Sequence, residues 1–166
     1  MLHDETGVKD EALLAISIQS HISRMWRSAE KSAGSDVRGF YLEDGEFCIE
    51  GHIHAKGHVE LQKIGASREQ IGGRGLARHS RHIMSNYDFD FGRYAQTGMV
   101  DVLAVMLHFG GSGATPLPLD PPIGLYDVKA AVARQPDGGW LIASWRMTPI
   151  FLGKDHPMLT GAWVRP

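Results

Sequence analysis

The sequence predicts an α+β domain in which about three N-terminal helices pack on a strongly curved, mainly antiparallel β-sheet. Apolar residues near the N-terminus recur at three- and four-residue steps, which is the spacing of an amphipathic helix. Four long segments after residue 78 are rich in β-formers and are separated by Gly-rich or Pro-rich connections. Helices followed by strands are typical of a layered α+β fold, in which the helices cover one sheet face.

Residues 9–31 are predicted to form one long helix. Small and capping residues at 32–36 end it, and Asp36 is suited to cap a short second helix that continues to Tyr41. The apolar stripe on the first helix consists of Leu14, Ile18, Ile22, Met25 and Ala29.

Residues 43–46 carry a turn signal, and a brief strand is predicted at 47–49. A third helix is predicted from Gly57 to the pair Gly72-Gly73, because its length and interspersed polar residues favour a helix. Strands of the length predicted next must twist and curl. Those strands are expected at 78–91, 97–109, 123–134 and 140–152.

Composition limits the classes of protein to consider. The chain has 166 residues, of which 43% are apolar, so we expect one domain at 9–153 between a flexible terminus at 1–8 and a tail at 154–166. A formal charge of −2 and no basic cluster argue against nucleic-acid binding. No apolar run is long enough to span a membrane. The single Cys48 excludes an internal disulfide, and the polar N-terminus lacks a signal pattern, so a cytoplasmic location is expected.

The strand predicted at 97–109 is expected to be buried on both faces. From Met99 to Leu107, odd-numbered and even-numbered positions are both mainly apolar. A strand with one face in solvent instead alternates apolar and polar residues. The helices cover one face, and we expect a second copy of the chain to cover the other in a homodimer. The loop at 110–122 is an alternative cover, and it is equally suited to act as a lid on a pocket.

Two motifs carry a family resemblance. Residues 81–86 read Arg-His-Ile-Met-Ser-Asn, and residues 138–142 read Gly-Gly-Trp-Leu-Ile. Together they resemble the SnoaL-like branch of the nuclear-transport-factor-2-like (NTF2-like) superfamily, whose order of elements the chain matches from about Asp10 to Gly153. The resemblance implies a cone around one small-molecule pocket, pairing of two copies through the convex face of the sheet, and an acid/base role for the strand histidine, here His82.

Strand alternation places His82, Met84 and Asn86 on one face, where they would form a pocket wall. A histidine titrates near neutral pH and suits proton transfer, and the Asn86 amide can donate to a substrate oxygen. The competing interpretation is a histidine that only bonds a backbone group in the interior.

The resemblance also implies a carboxylate partner for His82 near the end of the first helix. Related enzymes have an Asp there, and the matching position is Glu30, which is one methylene longer. The competing interpretation of Glu30 is a solvated charge beside Lys31. Where many relatives have a pocket Tyr, this chain has Met25 with Trp26 beside it, so no phenol proton is expected from that position.

A metal site is the rival interpretation of this histidine-rich chain. His52, His54, His58 and Glu60, with His82 and Asn86 later, loosely resemble the two metal motifs of cupins. The Glu comes two residues late, and residues 59–71 favour a helix where a cupin has a strand. We therefore predict no metal and no cofactor.

These observations predict a cofactor-independent acid/base enzyme of the dehydratase, isomerase or cyclase type, acting on a hydrophobic oxygenated molecule. His82 is the expected general acid/base, with Glu30 as its partner and Asn86 as the oxygen anchor. The alternatives are a non-catalytic ligand-binding NTF2-like protein, which the missing Asp and Tyr favour, and the small subunit of a ring-hydroxylating dioxygenase. Further candidates for lining the pocket are Trp26, Tyr41, Met84 and Tyr126.

Overall fold

The computed structural model describes residues 5–31, 36–71, 78–154 and 156–160. Long helices pack on a single six-stranded sheet. The first half contains α1 (Glu5–Lys31), a 3-10 turn (Val37–Gly39), β1 (Tyr41–Ile49), β2 (Ile53–Lys56) and α2 (Gly57–Ile71). The second half contains β3 (Arg78–Asp90), α3 (Tyr94–Thr97), β4 (Met99–Ser112), β5 (Gly124–Arg134), β6 (Trp140–Leu152) and α4 (Pro157–Thr160).

The strand order in the sheet is β2-β1-β6-β5-β4-β3, so β2 and β3 form its two edges. All neighbouring strands are antiparallel except β1 and β6, which are parallel. The predicted α+β class, with helices on a mainly antiparallel curved sheet, is confirmed. Because β3 is an edge strand, one row of its backbone groups faces away from the sheet.

The core lies between α1 and the inner face of the sheet. Ile18 and Ile22 are fully buried there, as the predicted apolar stripe requires. Trp140 is also buried, and its indole N–H donates to Ser17 Oγ at 2.7 Å, which ties β6 to α1. Among the described helices, none is both long and apolar enough to span a bilayer.

Several elements differ from the sequence-based expectation. The turn predicted at 43–46 is an irregularity within β1, where the register with β6 shifts between Tyr41 and Glu46. The second helix is only one 3-10 turn, although Asp36 caps it as expected by accepting from the Arg38 amide. Strand β2 and helix α3 were not predicted, because each is only four residues long.

The chain ends also differ in part. Helix α1 begins at Glu5, inside the segment expected to be a flexible terminus, and α4 lies inside the expected C-terminal tail. The helix break at 32–35, the glycine pair at 72–73 and the remaining terminal residues lie outside the described residues.

Candidate active site

His82 and Glu30 come together between β3 and the last turn of α1. The His82 backbone N–H donates to Glu30 Oε1 at 2.6 Å, and the ring Nδ1 lies 3.3 Å from the same oxygen. The two side chains are only 6% and 10% exposed. Glu30 is therefore not the solvated terminal charge that the competing interpretation assumed.

The position of His82 on an edge strand explains the first of these contacts. Its N–H points away from β4, so no neighbouring strand can accept from it. A buried backbone N–H that is not bonded to a neighbouring strand needs another acceptor. For the His82 N–H, that acceptor is the Glu30 carboxylate. The same carboxylate thus fixes both the strand edge and the imidazole ring.

Electrostatic interactions favour the ionised form of Glu30. Burial alone would raise its pKa, but hydrogen bonds from the His82 ring and amide, together with the charges of Arg81 and of the His82 ring when it is protonated, outweigh burial. The pKa of Glu30 consequently lies below its ordinary value. Arg81 Nη1 lies 3.7 Å from Glu30 Oε2, at the exposed rim of the site.

His108 is a site residue that sequence reasoning missed. It lies on β4 directly opposite His82, and the two imidazoles stack with centroids 4.5 Å apart. His108 Nε2 lies 2.8 Å from Ser80 Oγ. The sequence of a single strand carries no signal for this contact, because only the pairing register of β3 with β4 places His108 opposite His82.

Trp26 covers the other face of the His82 ring. Its indole is stacked at 4.0 Å between centroids, with an interplanar angle of 24°. The His82 ring is thus held between Trp26 and His108, and only its edges remain for other contacts. Trp26 is buried, and its N–H has no hydrogen-bond partner among the described residues.

A cleft of about 760 Å³ opens beside this pair, between α1 and β3. Trp26, Glu30 and His82 lie on its wall. Its volume is within the range of small-molecule sites. The remaining lining residues are Gln19, Ser23, Arg27, Arg81, Ile83, Met84 and Tyr87.

A β-bulge changes which residues of β3 face the site. Ser85 pairs with Val105 and Asp88 with Leu103, so β3 has one extra residue in this interval. Asn86 adopts a positive φ of 52° at the bulge and is exposed. Simple alternation had placed Asn86 on the face of His82. The bulge instead brings Tyr87 to the cleft, and burial raises the pKa of its phenol to about 12.

The other two predicted lining residues lie elsewhere. Tyr41 lines a smaller apolar cavity of about 60 Å³ under α2, which Trp26 also borders. Tyr126 is buried with its hydroxyl 3.1 Å from His156 Nε2, and burial raises its pKa to about 12. Tyr126 is not among the residues that line either space.

The cupin-like set of metal ligands is not brought together. His54 lies on β2 and pairs with Glu46 at 3.0 Å, whereas His82 lies on β3 at the opposite edge of the sheet. His58 bonds the Tyr41 carbonyl, and Glu60 accepts from the Lys56 amide. Within the described parts of the chain, no group of three His, Cys, Asp or Glu side chains could hold a metal ion.

Comparison with known proteins identifies the fold. No family model and no curated protein matches the chain in sequence. A protein from Catenulispora acidiphila in complex with S-DNPA matches in structure with 20% identity and a TM-score of 0.63, covering 83% of this chain and 94% of that one. A putative scytalone dehydratase from Novosphingobium aromaticivorans matches with 19% identity and a TM-score of 0.66, covering 89% and 92%.

An NTF2-like protein with a cystatin-like fold from the same Novosphingobium species also matches. It has 14% identity and a TM-score of 0.65, with coverage of 96% and 98% of the two chains. These similarities show that the chain has the NTF2-like, or cystatin-like, fold, as the sequence motifs led us to expect.

Proposed function

We propose that this protein is a cofactor-independent acid/base enzyme that eliminates water from, or isomerises, a hydrophobic oxygenated small molecule. The observation that carries the proposal is the contact between His82 and Glu30 on the wall of an open cleft. A buried imidazole next to an ionised carboxylate is a common arrangement for proton transfer. The similarity to the putative scytalone dehydratase supports the same class of reaction.

In this proposal, Glu30 orients the ring of His82. A carboxylate beside Nδ1 favours the tautomer in which that nitrogen carries the proton, which makes Nε2 the basic nitrogen. His82 Nε2 then removes a proton from a carbon next to a carbonyl group. The protonated ring returns that proton to the departing hydroxyl, so water leaves and a carbon–carbon double bond forms.

The cleft favours a substrate with an apolar body. Trp26, Met84 and Tyr87 supply apolar surface next to His82. The Catenulispora acidiphila protein of the same fold is in complex with S-DNPA, which supports binding of a small molecule by this protein too. Hydrophobic contacts with the cleft would hold the body of the substrate while polar groups near His82 orient its oxygens.

A dehydration assay tests the proposal. The probe is 3-hydroxy-1-tetralone, whose loss of water leads to 1-naphthol and a large change in ultraviolet absorption. We expect wild-type protein to accelerate this reaction and His82→Gln to lose at least about 100-fold of the acceleration. His54→Gln, at the exposed opposite edge of the sheet, is the matched control and should retain full activity.

The same assay separates the enzyme from a binding protein. Saturable binding of 3-hydroxy-1-tetralone without any acceleration would favour a non-catalytic role for the cleft. Equal rates for wild-type protein and His82→Gln would remove the proposed role of His82.

We also propose that the protein forms a homodimer through the outer face of the sheet. Four apolar residues lie opposite one another in neighbouring strands there, and Phe151 is 69% exposed in the single chain. An apolar row of this length that is exposed at its two ends and half-buried between them is typical of an interface. The row consists of Ile83, Leu107, Leu125 and Phe151.

Sedimentation velocity tests the dimer. Phe151→Arg should shift the protein from dimer to monomer, because it places a charge in the proposed interface. Leu119→Arg is the control, since Leu119 is also exposed but lies in the loop between β4 and β5. A monomeric wild-type protein at micromolar concentration would contradict the proposal.

A further inference from the structure

The cleft beside His82 follows the edge of β3 rather than one of its faces. Arg81 and Ile83 point to the outer face of the sheet, and His82 and Met84 point to the inner face, yet all four residues line the cleft. Successive side chains of a strand alternate between the two faces of the sheet. A cleft that is lined by side chains from both faces therefore lies beside the edge of the strand. The backbone groups of β3 that point away from β4 therefore border this cleft.

Antiparallel geometry identifies those backbone groups. The His82 N–H points outward to Glu30, so the pair of His82 with His108 is one in which backbone groups face away from the partner strand. The pattern repeats every second residue. The Met84 N–H also points outward, roughly 7 Å farther along the strand and just before the bulge.

The charge around this edge is positive. Arg27 and Arg81 line the cleft, and Glu30 is the only carboxylate among its lining residues. Glu30 already accepts from the His82 amide and lies near Arg81. Arg27 forms no ion pair with any described residue. Arg81 Nη1 donates to the Ser80 carbonyl at 2.6 Å, on the side of His82 away from Met84. An anion placed near the Met84 amide would therefore meet a backbone donor in a cleft that the Arg27 guanidinium also lines.

We propose that the open edge of β3 binds the carboxylate of an organic acid with an aromatic body. The carboxylate accepts from the Met84 N–H and lies in the field of Arg27. The aromatic body packs on Met84 and Tyr87. The inference rests on the proposed function, because it assigns an acid as the substrate class of the same cleft.

In this proposal, the group that binds the substrate oxygen is the backbone N–H of Met84 and not a side chain. The sequence had suggested the Asn86 side chain for that role, but Asn86 is exposed at the bulge. A hydrogen bond between a backbone N–H and a charged acceptor is stronger than one between neutral groups. It also requires no side chain to be ordered when the ligand binds.

Binding of two matched probes tests the charge requirement. The probes are 2-naphthoate and its neutral counterpart 2-naphthamide, with binding measured by isothermal titration calorimetry at low salt. We expect 2-naphthoate to bind about tenfold more tightly than the amide, and this preference to decrease as salt is raised. Equal affinities, or no binding of 2-naphthoate at millimolar concentration, would overturn the proposal.

Substitutions of arginine test the same point within the protein. Arg27→Gln should weaken binding of 2-naphthoate about three- to fivefold and leave that of 2-naphthamide unchanged. Arg24→Gln is the control, because Arg24 is an exposed cation on α1 that does not line the cleft. An equal effect of the two substitutions would show that 2-naphthoate senses only the overall charge.

The backbone donor is tested by comparing Met84→Pro with Met84→Ala. Both lose the methionine side chain, but only proline removes the N–H, and proline is tolerated where an edge strand has an outward N–H. Met84→Pro should bind 2-naphthoate about tenfold more weakly than Met84→Ala. If the proline variant does not fold, the wild-type Met84 amide resonance must still move when 2-naphthoate saturates the protein, and no movement refutes the contact.

The two proposals fail in different ways. Conversion of 3-hydroxy-1-tetralone without selective binding of 2-naphthoate would leave the enzyme proposal intact and remove the acid as its substrate class. Selective binding of 2-naphthoate by a protein without dehydration activity would leave the carboxylate site intact and remove the proposed reaction.

Discussion

The imidazole rings of His82 and His108 stack face to face across β3 and β4, with their planes only 9° apart. The two residues form a cross-strand pair of the kind in which side chains approach most closely. Ser80 lies on the same strand as His82, and its hydroxyl forms a hydrogen bond with His108. The orientation of His82 therefore depends on β4 as well as on Glu30 and Trp26.

The first prediction concerns the bond that holds His108. His108→Phe keeps an aromatic ring on His82 but removes the contact with Ser80, so the free energy of unfolding should fall by about 0.5–1.5 kcal/mol. Ser80→Ala should cost a similar amount, because it removes the same hydrogen bond. Urea denaturation of both variants and of the double variant measures these costs. Additive losses in the double variant would show that the two residues act independently.

The second prediction concerns Glu30 and acid stability. The folded protein holds the pKa of Glu30 below its ordinary value of 4.5, so the carboxylate stabilises the fold above that pH. At pH 7, Glu30→Gln should lower the free energy of unfolding by about 1.5–3 kcal/mol. The difference from wild type should shrink as the pH falls from 4.5 through the lowered folded-state pKa, where the wild-type carboxylate also becomes neutral.

Urea denaturation between pH 3 and pH 7 measures the effect of Glu30→Gln. Glu11→Gln is the control, because Glu11 is an exposed carboxylate on the same helix. A stability difference that stays constant across this pH range would mean that the ionisation of Glu30 is not what stabilises the fold.

Short-range sequence patterns predicted the long helix and the four long strands, whereas contacts between distant residues needed other information. The long helix followed its apolar spacing, and the four long strands lie within a few residues of their predicted bounds. The approach of Glu30 to His82 was expected from a family resemblance, since spacing alone does not bring residues 52 positions apart into contact. Local patterns thus specified elements, and the motif specified one long-range pair.

The features that the sequence did not predict depend on how β3 pairs with β4. His108 faces His82 only because β3 and β4 pair as they do, and Tyr87 reaches the cleft only because a bulge shifts its parity. A bulge adds one residue without any required sequence signal, although an asparagine at a positive φ is compatible with one. The sequence also did not predict that β3 is an edge strand, because that depends on the order of the strands in the sheet.

The third prediction concerns His156, which contacts the Tyr126 hydroxyl and is not among the residues that line the cleft. Burial and the nearby His52 lower its pKa, so the folded protein favours the neutral ring. A lowered pKa means that the stabilisation is present above the ordinary value of 6.5 and is lost as the pH falls below it. Between pH 7.5 and pH 5.5, the wild-type free energy of unfolding should therefore fall more steeply than that of His156→Gln.

The difference in slope should approach at most about 1.4 kcal/mol per pH unit, the limit for one proton. Guanidinium denaturation at several pH values measures the slope. Tyr126→Phe should also destabilise the protein, since it leaves the buried His156 Nε2 without the hydroxyl that it contacts.

The last prediction concerns the bulge at Asn86. Its positive φ is strained for residues with a Cβ, and asparagine tolerates this conformation better than most. Asn86→Ala should therefore lower the free energy of unfolding by about 1 kcal/mol, whereas Asn86→Gly should leave it unchanged or raise it. Thermal unfolding distinguishes these outcomes, with Ser85→Ala as the control for a loss of polar surface next to the bulge.

The same glycine variant discriminates between the two candidate oxygen anchors. If the Met84 N–H holds the carboxylate, Asn86→Gly should bind 2-naphthoate as tightly as wild type, because the bulge keeps its shape and only an exposed amide is lost. A loss of about tenfold in affinity without a loss of stability would instead assign the contact to the Asn86 side chain. In that case the anchor suggested by the sequence motif would be the correct one, and the open strand edge would only border the site.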